Sequence, residues 1–237
     1  MGVSTGGGRT LRLVVALFAL GAAAQAGAAM PGLYFNGFYM DSSLAYSSAN
    51  VGEARAEAWR AEIWGSGYDA DVTTIEESKF DRTDVGYSFG VGFQFSDYLA
   101  AELAYVQMGE VLYAAIGNVE RRSDSRSFRT STRLRSRARG LGLTGIAIYP
   151  MGDHFALDAR GGVLLGKKKV GYTIEVSDGG YDRHSLKDGS MAYTLGAGIN
   201  WSMAPGTAIR LGYTRLQKAL YDGRGASSWV LGLKYAW

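Results

Sequence analysis

The chain has 237 residues with 34 Gly, 15 Tyr, 3 Pro and no Cys, and a formal net charge of +3. Without Cys there is no disulfide framework, no thiolate nucleophile and no zinc–thiolate site, and a hydrophobic content of 47% excludes a disordered chain. The length fits one large β domain.

At the N-terminus, Arg9 and Arg12 precede an apolar run that reaches Ala24, followed by the small-x-small patterns Ala24-Gln25-Ala26 and Ala26-Gly27-Ala28. This is the pattern of a secretory signal peptide over residues 1–28, and its apolar core is too short to cross a hydrocarbon layer of ~30 Å. Removing two arginines takes the charge from +3 to +1. Basicity must therefore be judged locally, and nothing in it points to nucleic acid. No other stretch is long and apolar enough for a spanning helix. A membrane form of this chain would cross as strands.

The expected domain, residues 29–237, opens with a strand from about Leu33 past Tyr46. Phe38, Met40, Ser42, Leu44 and Tyr46 share one face, and Gly37, Tyr39, Asp41, Ser43 and Ala45 the other, because strand side chains alternate with period two. The cleanest strand sets Tyr87, Phe89, Val91, Phe93 and Phe95 against Ser88, Gly90, Gly92 and Gln94. Five such residues in a row suit lipid and not water. After the turn Ser96-Asp97-Tyr98, Leu99, Ala101, Leu103 and Tyr105 face out, and Ala100, Glu102, Ala104 and Val106 face in.

The fourth strand, about Arg139–Tyr149, points its odd positions outward, with Ile146 and Ile148 calling for either a bulge or a mixed inner face. Beyond the turn Pro150–Asp153, Phe155, Leu157, Ala159, Val163 and Leu165 face out opposite Asp158, Arg160 and Gly162. Tyr193 to Trp201 and Ile209 to Tyr213 mark two more strands around Ala204-Pro205-Gly206. In the last strand Trp229, Leu231, Leu233, Tyr235 and Trp237 alternate with Val230, Gly232, Lys234 and Ala236.

The reading is all-β: about eight antiparallel strands of ~10 residues, the length that crosses the hydrocarbon when tilted, closed into a transmembrane barrel. Turns at Ser96–Tyr98, Pro150–Asp153 and Ala204–Gly206 are short. Connections at Ser47–Val85, Gly109–Ala138, Gly166–Gly189 and Leu216–Ser227 are long. Short periplasmic turns and long external loops follow the rule for such barrels.

A C-terminal strand with Gly232, Tyr235 and a final Trp237 is similar to the assembly signal of bacterial outer-membrane barrels. Val230 departs from it, since the position two before the glycine is usually polar there. With the strand pattern and turn placement, essentially all of the mature chain resembles the small eight-stranded OmpA-like and opacity-protein-like outer-membrane barrels. The resemblance implies a location in the Gram-negative outer membrane, and partners that are outer-membrane lipid, lipopolysaccharide and the barrel-assembly machinery. It also implies a non-enzymatic role in envelope integrity or surface adhesion, with a host or surface ligand for the loops.

Two constellations carry the functional expectation. Alternation turns Glu102, Asp158, Arg160, Arg210 and Lys234 into the lumen, joined by Asp41, Gln94 and Asn200. Ions in so narrow a space must be paired or hydrated. The resembled family has an interior network of acids and bases, which implies Glu102 with Arg160 or Arg210. Such a network is either a plug or the gate of a small pore. In the second constellation, Arg121, Arg122, Arg126, Arg129, Arg133, Arg135, Arg137 and Arg139 crowd one external loop with only Glu120 and Asp124 opposing, and the last four alternate strictly. If the register of Leu141 and Leu143 continues, they line the outer face just above the membrane, where guanidinium forks meet lipopolysaccharide phosphates. The competing reading is a solvated loop paired with Asp69, Asp71, Glu76, Glu77 and Asp81.

A segment from Glu53 to Trp64 is compatible with a short helix bearing Trp59 and Ile63 on one face. An outer-leaflet lipid enzyme would need a His–Ser pair. His184-Ser185 is the one external candidate, but neighbours on a strand face opposite ways. No enzyme, cofactor or metal is expected.

Overall fold

The computed structural model describes residues 37–177, 179–218 and 225–236. The expected signal peptide, the start of the first strand before Gly37, and Trp237 lie outside them. Among the described residues there are ten strand segments and one helix: β1 (Gly37–Ala49), α1 (Glu53–Gly67), β2 (Ala70–Asp81), β3 (Thr83–Ser96), β4 (Leu99–Gln107), β5 (Val111–Arg121), β6 (Ser127–Pro150), β7 (Phe155–Val176), β8 (Tyr181–Ala204), β9 (Thr207–Gln217) and β10 (Ala226–Ala236). Neighbours run in the order β6-β4-β3-β1-β10-β9-β8-β7, and β6 pairs back onto β7, so eight strands close into a ring. All pairings are antiparallel, and the last strand meets the first from Tyr39↔Ala236 to Ala49↔Ala226.

The alternation explains both surfaces. Phe38, Phe89, Val91, Phe95, Leu103, Leu141, Leu143, Leu195, Leu211 and Trp229 are exposed, while Tyr39, Asp41, Glu102, Asp158, Asn200 and Arg210 are buried. A ring that is apolar outside and charged inside is the reverse of a soluble barrel, and it places the exposed band in lipid. Two inward glycines make room for large inner side chains. A Cβ on Gly92 would fall 2.0 Å from the Tyr39 ring, and one on Gly212 would fall 2.6 Å from the Arg210 guanidinium.

Beyond the membrane the barrel differs from the expected long loops. β6 and β8 each have 24 residues and β7 has 22, against about 10 needed to cross the hydrocarbon. β6 pairs β4 through Arg139–Ala147 and then β5 through Ser127–Ser136. A break at Met108–Glu110 separates β4 from β5, and β2 pairs along β5. The segments 47–85, 109–138 and 166–189 are therefore largely strand and helix. Their outward positions change from apolar to charged at the lipid boundary, so the hydrophobic alternation fades while the strand continues. The inner face of β6 is mixed and carries no bulge. Pairing with β7 runs unbroken from Thr130↔Val176 to Pro150↔Ala156, and Ile146 packs inside beside Tyr39 and Ala100.

Helix α1 lies against the inward face of this extension. The face it buries is Ala56, Arg60 and Trp64, at i, i+4 and i+8. The expected Trp59 and Ile63 flank that stripe, partly buried. Ala56 and Trp64 pack against Tyr113, Ala115, Leu134, Val119 and Ile174. Trp64 Nε1 donates to Thr132 Oγ1 and Arg60 Nη2 to Thr130 Oγ1, both at 3.3 Å. Trp64→Ala is expected to weaken the docking of α1 by about 3 kcal/mol and leave the ring intact. The check is faster proteolysis within 53–67, with the folded barrel's gel mobility before heating unchanged.

Candidate functional site

The first candidate site fills the periplasmic half of the lumen. Asp158, on β7 three residues past the start of the strand, is 3% exposed. Arg210 on β9 grips it with Nε at 2.9 Å and Nη2 at 3.1 Å, and Arg160 Nε reaches it at 3.1 Å. Asn200 Nδ2 donates to the same carboxylate at 2.7 Å. Arg160 also lies 3.3 Å from Glu102 on β4. Tyr39 donates its hydroxyl to Glu102 at 3.4 Å, and the Lys234 ammonium sits 5.1 Å from the Tyr39 ring centre. Glu102, Asp158, Arg160 and Arg210 thus form one chain of contacts. Glu102 takes Arg160 as its partner, and Arg210 goes to Asp158. Lys234 joins through Tyr39, a residue the sequence marks only as inward-facing. Fork-to-carboxylate bonds of this kind are strong and directional, and bases on β7 and β9 tie together acids on β4 and β7.

Outward from this network, Ser43 meets Ser88 at 2.6 Å and Ser47 meets Ser228 at 2.8 Å. They border a cavity of about 110 Å³. Above it Met108, Ala138, Leu164, Ala192, Leu216 and Ala226 pack together across the lumen. The lumen is thus filled twice, by ions below and by an apolar cluster above.

The second candidate site is on the outer wall. Arg133, Arg135, Arg137 and Arg139 are all exposed on β6, on the same face as Leu141 and Leu143. Register sets Arg137 opposite Lys169 and Arg139 opposite Lys167 on β7, and Lys169 opposite Lys187 on β8. The column read from β6 is therefore one edge of a basic face three strands wide. Lys167, Lys169, Arg183 and Lys187 were not singled out from sequence. Carrying the odd register of β7 past Leu165, and that of β8 back from Tyr193, finds them. Glu110 pairs with Arg135 at 3.4 Å and also with Arg137, whereas Arg133 and Arg139 make no ion pair among the described residues. Acids of the first external segment pair with earlier arginines of the same arginine-rich segment, as the competing reading expects for that part of it: Asp71 and Asp69 hold Arg122, and Glu76 holds Arg129 at 2.7 Å.

His184 and Ser185 do not meet. His184 stacks on Tyr172 and bonds Asp182 at 2.9 Å, and Asp182 also accepts the Tyr68 hydroxyl. This clasp ties the end of α1 to β8. The Tyr68 bond, reinforced by His184, holds the Asp182 carboxyl below its ordinary value, and burial with that same bond pushes the Tyr68 hydroxyl up. Among the described residues no group of His, Cys, Asp and Glu is arranged to hold a metal ion, and no helix is long and apolar enough to cross a membrane.

The family model described as the OmpA-like transmembrane domain matches residues 45–228. Among solved structures, the chain is similar to Ail, the attachment invasion locus protein of Yersinia pestis, at 15% identity and TM-score 0.44, covering 84% of this chain and 98% of that one. It is similar to Neisserial surface protein A at 11% identity and TM-score 0.42, covering 84% and 97%. It is also similar to the outer membrane protein OprG from Pseudomonas aeruginosa at 11% identity and TM-score 0.41, covering 86% and 98%. No curated protein matches.

Two predictions rest on this geometry. Asp158→Asn weakens the hold on two buried guanidinium groups, and such a loss costs about 3–5 kcal/mol. The expected result is a lower urea midpoint in vesicles, with Glu102→Gln costing less because it loses the longer contacts. For Asp182 the folded carboxyl lies below its unfolded value. Its contribution is therefore present above the ordinary carboxylate range and lost as pH falls through the lower, folded value. Acid below about pH 4 is expected to loosen the α1 clasp. Hydrogen exchange at Trp64–Tyr68 checks this, and Tyr68→Phe is expected to remove the pH dependence.

Proposed function

We propose that this chain, which belongs to the OmpA-like transmembrane domain family and is a multi-pass β-barrel of the outer membrane, is a non-enzymatic surface protein that strengthens the envelope by gripping lipopolysaccharide. The observation that carries the reading is the basic face at the lipid boundary. Leu141 and Leu165 are paired and exposed, and Arg139 with Lys167 is the next outward pair, followed by Arg137 with Lys169. Two residues of tilted strand rise about 5 Å, which is where the phosphates of an outer-leaflet lipid begin. Guanidinium and ammonium groups at that height neutralise phosphate charge that would otherwise repel between neighbouring lipids.

The doubly filled lumen supports a plug over a pore. The network of Glu102, Asp158, Arg160, Arg210 and Lys234 then acts as a brace that holds the ring in register. The separation of His184 from Ser185 supports a non-enzymatic role. Export through the signal peptide at residues 1–28 and recognition of the β10 strand by the assembly machinery complete the reading.

The test is refolding into bilayers with and without lipopolysaccharide. With the native chain, lipopolysaccharide is expected to speed folding and remain bound after purification. Changing Arg137, Arg139, Lys167 and Lys169 together to Gln is expected to abolish both effects at physiological salt, while folding into phosphatidylcholine is unchanged. Retained binding in that variant would refute the reading.

A further inference from the structure

A charge lies buried between α1 and the wall, on the face opposite the outer cations. Arg60 is 0% exposed and is the largest side chain buried to that degree among the described residues. Its Nη2 donates to Thr130 Oγ1 at 3.3 Å, and Thr130 gives its own hydrogen to the Gly117 carbonyl at 3.2 Å. Arg60 Nε and Nη1 are buried and have no hydrogen-bond partner among the described residues. The same holds for the hydroxyl of Tyr113, a side chain 1% exposed on β5. Glu57 stands one turn back on α1, half-buried, and makes no ion pair with Arg60 among the described residues.

A guanidinium keeps its proton inside a protein, and a buried ion without a counter-ion is costly. The polar groups that face this seam are rich in donors. Arg60 and Tyr113 have hydrogens to give, and the Trp64 indole already gives its own to Thr132 Oγ1. The partner that suits them is an acceptor, and Arg60 requires it to be negative. A water molecule would satisfy N–H groups and leave the charge. Arg60 and Tyr113 act on each other across the seam: burial pushes the Tyr113 hydroxyl up, and the Arg60 charge opposes that rise. Size follows from the packing on either side. Ala56 and Trp64, four residues before and after Arg60, are both buried against the wall. Helix and sheet approach closely on short side chains there, Ala115 and Thr132. An anion between those two contacts is restricted to about the size of a single atom.

We propose that Arg60 and Tyr113 hold a monatomic anion, of the size and charge of chloride, between α1 and the wall formed by β5 and β6. The anion neutralises Arg60, accepts from its remaining N–H groups and from the Tyr113 hydroxyl, and makes the seating of α1 depend on halide. The site is on the inward face, so its occupancy is independent of whether the outer wall grips lipid.

The experiment uses the full mature chain in phosphatidylcholine nanodiscs. Amide hydrogen exchange over residues 53–67 is compared in sodium chloride, sodium bromide and sodium gluconate at one ionic strength, so that screening is equal and only anion size differs. Exchange is expected to be at least tenfold slower in chloride and bromide than in gluconate. Arg60→Met removes the charge at similar length and is expected to give one exchange rate in all three salts. Tyr113→Phe, a milder change in case that variant folds poorly, is expected to raise the chloride concentration for half-protection severalfold. Glu57→Gln is expected to leave the halide dependence as it is. Crystals grown in bromide are expected to show an anomalous peak beside Arg60. Equal exchange of the native chain in chloride and gluconate, or a halide dependence that survives both Arg60→Met and Tyr113→Phe, would overturn the proposal. So would loss of the halide dependence in Glu57→Gln, which would make Glu57 the counter-ion, or the absence of bromide beside Arg60.

Discussion

The constraint on which everything else depends is that a backbone inside lipid has no water to bond. Every N–H and C=O must find a partner within the protein, and a sheet meets that demand only by closing. Here closure is the pairing of β1 with β10, eleven residue pairs from Tyr39↔Ala236 to Ala49↔Ala226. Once the ring is closed, period-two alternation sends every second side chain into lipid and every other one into a lumen with little space. That geometry forces the inner positions to be glycine, small polar, or charged and paired.

The paired charges follow from this crowding. Asp158 takes bonds from Arg160, Arg210 and Asn200, drawing β7, β8 and β9 together, and Arg160 carries the connection across to Glu102 on β4. The apolar cluster around Met108 and Leu164 closes the same passage from the other end. One end is held by directional ionic contacts, the other by packing alone. The two kinds of closure answer to different solution conditions, salt and pH for the first and temperature for the second.

Outside the membrane the wall continues, and the chemistry of its two faces is exchanged. The inward face becomes apolar and receives α1 through Ala56 and Trp64. The outward face becomes cationic on β6, β7 and β8. Water on one side and a helix on the other replace lipid and lumen, so strands of 22 to 24 residues obey two different solvents along their length. The basic face is broad because three such strands pass the boundary together in register.

Composition and alternation determined the class of this protein. Phe89, Val91, Phe93 and Phe95 opposite Gly90, Gly92 and Gln94 admit few arrangements besides a lipid-facing strand, and the short turns at Ser96–Tyr98 and Pro150–Asp153 set which strands are neighbours. The inward placement of Glu102, Asp158, Arg160, Arg210 and Lys234 was legible for the same reason, since parity within a strand is a local property. Partner choice was not local. That Arg210 takes Asp158 while Glu102 takes Arg160 depends on the relative stagger of three strands, β4, β7 and β9. Extension of the strands past the lipid, the seat of α1, the pairing of Glu110 with Arg135 and Arg137, and the meeting of three strands' cations in one face were likewise decided by tertiary structure. Each is a pairing register between segments distant in sequence, and hydrophobic periodicity carries no record of register once the solvent changes from lipid to water.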